Sequence, residues 1–433
     1  MARVRRPAGD DLSSGAPAAD SLGYSLLLAA RVLAAVRSGK SLNEALPRLS
    51  GEPAAARAAA QDVVYGALRA RERGEFLLGR LMARPLAHAE TQALLLAALY
   101  RLETREDAAP MIVDQAVAAA GALANGAFKG VVNGVLRNFL RQRARLLAEL
   151  SQDEAAFFQH PAWWLQRLRR AWPKDWEGIV AADNRPPPMS LRVNTRRMSV
   201  GDYLEKLQAA GISAQPDGSA GLRLSRPLPV DRLPGFAEGW VSVQDAGAQR
   251  AAELLDPLPG ARVLDACAAP GGKTAHLLER ADVDLLALDI DAARLERIEE
   301  NLKRLGLAAE VRAADCLAVE EWWDKRPFDA ILADVPCSAS GVVRRHPDVK
   351  SLRRESDIRR FARAQSAILD ALWPLLQSGG RLLYATCSVF TEENTGQIDA
   401  FLARWANARR VGQEQWLPDD AHDGFYYALL QKA

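Results

Sequence analysis

Hydrophobic positions change their period twice along this chain. From about Tyr24 to Leu150, Ala, Leu and Val recur at helical spacing, broken only by short turns. The pattern predicts helices over Ser25–Ser38, Pro53–Ala70, Thr91–Leu102, Met111–Ala122 and Val131–Leu150, with no strand among them. Between 151 and 238 the pattern mixes. Trp163, Trp164, Trp172 and Trp176 accompany the basic run Arg167–Arg170, and Arg185-Pro186-Pro187-Pro188 interrupts any helix before Met189–Asn194 reads as a strand. Tyr203–Ala210 reads as helix and Leu222–Leu224 as a short strand, which together make a small α+β module. The tryptophans are read as core rather than as a base-stacking platform, because tryptophan is highly buried on average.

From about Trp240 short apolar runs alternate with helical segments. Strands are expected at Ala261–Ala266, Asp284–Asp289, Ala309–Ala313, Phe328–Ala333, Gly380–Ala385 and Phe425–Gln431. Helices are expected at Thr274–Ala281, Ala292–Leu305, Asp357–Leu376 and Glu393–Trp405. Repeated strand–helix units of this length imply an α/β domain with a mostly parallel sheet covered on both faces. The expected organisation is a flexible leader over 1–22, an all-α domain over 23–150, the small α+β module over 151–238 and the α/β domain over 239–433.

Composition adds an asymmetry that the net charge of +2 hides. Residues 1–240 carry 32 Lys and Arg against 24 Asp and Glu, and the remainder 24 against 30. A basic half joined to a mildly acidic one fits a nucleic-acid-gripping arm beside an enzyme. Arg137, Arg141, Arg143 and Arg145 on the last predicted helix are either a solvated surface or an RNA contact. No apolar run reaches the ~18 residues of a membrane span, and no basic–apolar leader opens the chain, so a cytoplasmic protein is expected.

The four cysteines, Cys267, Cys316, Cys337 and Cys387, all lie in the C-terminal half without a Cys-x-x-Cys knuckle, which argues against structural zinc. Cys316 is read as a buried small hydrophobe. Cys337 and Cys387 differ, because each stands just past a predicted strand, in Asp334-Val335-Pro336-Cys337 and Ala385-Thr386-Cys387-Ser388. Ligands of open α/β sheets bind outside the carboxyl ends of strands, so both thiols are expected to face one crevice and to do nucleophilic chemistry.

The stretch Cys267-Ala268-Ala269-Pro270-Gly271-Gly272-Lys273-Thr274 follows a strand and opens a helix, so its backbone N–H groups suit a ligand. Its Gly-Gly-Lys-Thr ending resembles a P-loop, but the required earlier glycine is Cys267. It also lacks the early glycines of a dinucleotide fingerprint. What remains is a tight glycine turn. Asp289 ends the next strand, placed to bond ribose hydroxyls. Asp315 follows the third strand and either reaches an adenine or caps the next helix.

These motifs, in this order, resemble the S-adenosylmethionine-dependent RNA cytosine-C5 methyltransferases. Gly341–Asp348, Val132–Phe139, Met189–Asn194, Val243-Gln244-Asp245 and Asp423–Tyr426 are similar to the bacterial branch called RsmB (also Sun or Fmu), and the likeness covers nearly the whole chain. Departures are small: Val335 for alanine, Ser351 for tryptophan and Ala314 for glycine. The resemblance implies a Rossmann-like class I methyltransferase domain with a seven-stranded sheet, and an all-α domain like the antitermination factor NusB. It implies S-adenosyl-L-methionine as cofactor, held by Cys267–Lys273, Asp289, Asp315 and Asp334. It also implies Cys387 as the nucleophile at C6 and Cys337 as the thiol that assists product release.

Asp334 is then expected near N3 of the base, with Lys273 orienting it. Arg344, Arg345, His346 and Lys350, directly after the first cysteine, are expected to hold RNA phosphates. The implied substrate is one cytosine of 16S ribosomal RNA, free or in an early small-subunit assembly intermediate, acted on by a monomer. Transfer RNA is the sister possibility, and a non-catalytic NusB-like RNA-binding factor is the alternative from another class.

Overall fold

The computed structural model describes residues 16–433, so the expected leader lies mostly outside the described residues. The described residues form two compact units: 16–165 with 346–352, and 166–345 with 353–433.

The first unit is helical. Its long helices are Leu22–Arg37, Ala54–Arg69, Arg71–Leu81, Ala89–Thr104, Ala109–Gly121 and Lys129–Leu150. Each predicted helix is present, and Arg71–Leu81, a charged helix that buries only Leu77 and Leu78, was not expected. Helix Leu22–Arg37 opens at Ser21, whose hydroxyl accepts from the Tyr24 N–H at 3.1 Å and satisfies an otherwise unpartnered amide. Apolar residues line nearly all of it, as expected for a helix buried in the centre of a bundle. Gly66 sits against the Tyr100 ring so closely that an added Cβ would lie 2.0 Å from it. Glycine there lets the Tyr100 ring of helix Ala89–Thr104 lie directly on helix Ala54–Arg69, and a larger residue would push the ring aside.

The second unit holds two sheets. The small one comprises β1 (Ser190–Val193), β2 (Ala214–Pro216), β3 (Gly221–Leu224) and β4 (Val241–Val243), all antiparallel in the order β2-β3-β1-β4. The large one comprises β5 (Arg262–Asp265), β6 (Asp284–Asp289), β7 (Glu310–Ala313), β8 (Phe328–Asp334), β9 (Leu376–Thr386), β10 (Ala408–Trp416) and β11 (Phe425–Lys432). Its order is β10-β11-β9-β8-β5-β6-β7, parallel except where β11 runs against both β9 and β10. The chain leaves β5 toward β6 and β7 on one side and returns to β8 and β9 on the other. The crevice for a ligand therefore opens at the carboxyl ends of β5 and β8.

Arg192 ties the two sheets together. It is buried on β1 and grips Glu279 through two bonds of 2.7 and 2.8 Å, a bidentate pair in a dry setting. A third bond, 2.8 Å long, reaches the Gly272 carbonyl, so the small sheet braces the turn after β5. Of the four tryptophans expected in the core, one is there, and Trp163, Trp172 and Trp176 are half-buried. Trp164 is fully buried, and Trp172 donates its indole N–H to the Val389 carbonyl at 2.8 Å.

Candidate active site

The turn after β5 is shaped by Gly271, which adopts a left-handed φ of 91° and would place an added Cβ 3.1 Å from Ile298. Helix Gly272–Arg280 starts immediately after it. Thr274 donates to Asp265 at 2.7 Å beneath the turn, and burial pushes the Asp265 carboxyl up to about 7. The Asp289 carboxylate ends β6 and accepts from the Ala269 N–H at 3.0 Å and the Asp291 N–H at 3.1 Å. Arg294 lies 3.5 Å from it and also donates to the Ala269 carbonyl at 2.7 Å. Asp289 thus fixes the glycine turn as well as facing the crevice.

A cavity of about 430 Å³ opens here, lined among others by Cys267, Asp289, Asp315, Asp334, Cys337 and Cys387. Asp315 also caps the turn beyond it, accepting from the Leu317 N–H at 2.9 Å. Ile290 and Leu317 line the cavity yet are 71% and 45% exposed, two apolar side chains that solvent alone would not favour. Sequence reasoning passed over both; the isoleucine directly after the strand-ending acid was the available signal. All four cysteines line this cavity, so Cys316 is buried as expected but not only a core filler. Its thiol bonds the Cys267 thiol, which raises the latter's pKa.

At the far end of the cavity the two motif cysteines meet. Cys337 Sγ and Cys387 Sγ are 3.4 Å apart, past the ends of β8 and β9, so the crevice brings together residues 50 positions apart. The hydrogen bond it shares with Cys387, with burial added, keeps the proton on the Cys337 thiol and pushes its pKa well above its ordinary range. Lys273 reaches Asp334 at 2.5 Å. Burial would lower the Lys273 ammonium, but the charge and hydrogen bond of Asp334 outweigh it and raise the pKa. The expected Lys273–Asp334 pair is therefore formed.

The expected RNA contacts need correction. Arg344 is buried and bonds Asp423 and the Asp419 carbonyl. Arg345 pairs with Asp423 and, at 2.7 Å, with Asp245. Lys350 is buried in the helical unit, where its ammonium donates at 2.7 Å to the carbonyls of Arg69 and Gln159. These three cations already neutralise buried acids or cap carbonyls, and drawing any of them out to a phosphate would strand those partners. Of the four residues, only His346 is exposed. The sequence shows the sign of the charge in this segment and not its burial, which depends on partners distant along the chain.

A doubly covered sheet of this order, with its last hairpin antiparallel, a glycine turn after β5 and an acid ending β6, defines a class I S-adenosylmethionine-dependent methyltransferase. Family models agree piece by piece: the NusB family over residues 25–141, a ferredoxin-like domain of the RsmF/B-like methyltransferases over 160–231, and the 16S rRNA methyltransferase RsmB/F over 252–431. A Pseudomonas syringae pv. tomato protein named ribosomal RNA small subunit methyltransferase B is 46% identical, covering 94% of this chain and 96% of its own. Among solved structures, PH0851 superposes with a TM-score of 0.76 at 25% identity, over 94% of this chain and 99% of that one. A methyltransferase homolog from Pyrococcus horikoshii follows at 0.58 and 28%, over 64% and 97%. The chain belongs to the ribosomal RNA small subunit methyltransferase B family.

The residues present fit the cofactor of that family. The cavity offers carboxylates for hydroxyl groups, apolar faces for a flat ring, and a turn too tight for any residue but glycine at 271.

Proposed function

We propose that this protein methylates C5 of one cytosine in 16S ribosomal RNA, with Cys387 as nucleophile. Bound S-adenosylmethionine supplies the methyl group. Asp289 would hold its ribose hydroxyls, Asp315 with Ile290 and Leu317 its adenine, and Cys267–Lys273 with Asp334 the rest. C5 of cytosine is too electron-poor to take a methyl group unaided. Addition of the Cys387 thiolate to C6 makes C5 nucleophilic, dividing a hard step in two. Asp334, held by Lys273, faces the base near N3 as the ring gains electron density. After C5 is methylated its proton must leave and the C6–S bond must break, and Cys337 serves that release. The base is reached single-stranded or flipped out. The small-subunit rRNA named for the curated relative supports this substrate over transfer RNA.

The observation that carries the reading is the 3.4 Å approach of two thiols on separate strand ends, beside the Lys273–Asp334 pair. The test is one denaturing gel with target RNA. Cys337→Ala should accumulate a covalent protein–RNA adduct that the Cys337→Ala/Cys387→Ala double variant cannot form. An adduct in Cys387→Ala instead would reverse the roles, and its absence from every lane would sink the covalent route.

A further inference from the structure

Six residues beyond the second cysteine stands an acid that the chemistry above does not use. Glu393 closes the turn Thr391–Glu393 and is fully buried. One of its oxygens accepts from the Ser338 N–H at 2.8 Å and from the Gln365 amide at 3.1 Å. The other accepts from the Ser338 hydroxyl at 2.5 Å and the Ser388 hydroxyl at 2.6 Å. Ser338 and Ser388 are the residues directly after Cys337 and Cys387. A single carboxylate therefore bonds both cysteine loops at the same relative place.

The surrounding bonds close the arrangement. Gln365 also donates to the Pro336 carbonyl at 3.0 Å, so the backbone is pinned on both sides of Cys337. The Ser340 hydroxyl lies 3.1 Å from that of Ser338 and 3.0 Å from that of Ser388, and accepts from the Val389 N–H at 2.9 Å. None of the groups bonded to Glu393 carries a positive charge. Burial raises its pKa, and the bonds from Ser338, Ser388 and Gln365 work against that rise. A buried carboxylate is an expensive way to fill space, but it accepts four donors at once, whereas an amide presents acceptor and donor ends. Glu393 does not line the cofactor cavity.

We propose that Glu393 is a positioning residue that holds the two cysteine loops in register, so that attack by Cys387 and release through Cys337 occur on one base without rearrangement. The inference rests on the covalent reading above. A misplacement near 1 Å costs on the order of 100-fold in rate. Glu393→Gln keeps the shape but turns half of the clamp from acceptor to donor. In the full-length protein it should bind S-adenosylmethionine as the wild type does by calorimetry. With target RNA its kcat should fall about 10- to 100-fold at unchanged KM for the cofactor. Because release depends on the Cys337 loop, which Glu393 holds through both the N–H and the hydroxyl of Ser338, the variant should also show more covalent adduct at steady state than the wild type. Glu393→Ala should exaggerate both effects. Should it fail to fold, the glutamine variant decides alone. Wild-type kcat and adduct level in Glu393→Gln would overturn the proposal, as would a loss of cofactor affinity in step with thermal stability, the mark of a merely structural acid. Cys337→Ala run alongside separates the two ideas. If it traps no adduct the covalent reading itself fails, whereas a trap there with an unaltered Glu393→Gln removes only the clamp.

Discussion

The two units bury different things. The core of the helical unit is almost wholly Ala, Leu and Val, and its buried polar groups, Ser25, Thr91, Gln92, His160, Asp348 and Lys350 among them, are scattered rather than gathered at one place. The sheet unit has comparable apolar layers below and above its strands. At the carboxyl ends of those strands, however, it buries Asp265, Asp289, Ser338, Ser388, Glu393 and Asn394. Apolar burial stabilises by about 25 cal/mol per Å² regardless of direction, whereas a buried polar group is costly unless each bond is made. The first kind of core holds a shape, and the second fixes individual atoms. The helical unit can therefore act through its surface, and the sheet unit acts through what it hides.

The largest break in that comparison comes from Cys387→Ala. Methyl transfer should fall on the order of 10⁴-fold or more, while calorimetric cofactor affinity stays put, because the thiol is needed for attack and not for the adenosyl end of the cavity. Appreciable turnover with radiolabelled cofactor would end the nucleophile assignment. Asp265 tests the cost of polar burial. Its carboxyl titrates near 7 when folded against an ordinary 3.8, so the folded state binds the extra proton between those values. Stability from this group is present at low pH and is lost as pH rises toward 7, by as much as about 4 kcal/mol. Asp265→Asn should remove that slope, so the variant gains on the wild type between about pH 4 and 7 in chemical denaturation. Parallel curves would mean that the acid ionises in place without penalty.

Asp289 gives the next break, in cofactor binding rather than in stability. Its carboxylate bonds two loop amides and faces the cavity. Losing a charged hydrogen bond costs about 1.5–3 kcal/mol, so Asp289→Ala should weaken cofactor binding by one to two decades. Unchanged affinity by calorimetry would leave the acid as a brace for the turn alone.

How far this was legible follows from the same contrast. Parallel strands bury both faces and read as continuous apolar runs, which is why β5, β6, β8 and β9 lie where the pattern put them. β10 was not found, because Ala408–Trp416 is a largely exposed edge strand with polar residues on both sides. The cysteines, glycine turn and strand-ending acids were legible because each is local to a strand end. Glu393 and the Arg344–Asp423 and Arg345–Asp245 pairs were not, since their partners lie 55, 79 and 100 residues away. Local pattern reports charge and period; it does not report which distant group a charge will meet.

The smallest expected effect sharpens the surface half of the comparison. Arg137, Arg141 and Arg145 are exposed at intervals of four on helix Lys129–Leu150, so they form one stripe. Arg143 lies off that stripe, half-buried, with bonds to the Leu102 carbonyl at 3.3 Å and to Glu106 at 3.2 Å. If the stripe grips RNA backbone, each lost phosphate contact lowers the log–log salt slope by roughly 0.7–0.9. Arg137→Gln/Arg141→Gln should therefore flatten the slope by about 1.5 and weaken RNA binding several-fold at low salt, with turnover at saturating RNA unchanged. Arg143→Gln should cost stability and leave the slope alone. A double variant with the wild-type slope would make the stripe an ordinary solvated face, and an effect confined to Arg143→Gln would trace the affinity to the helix packing instead.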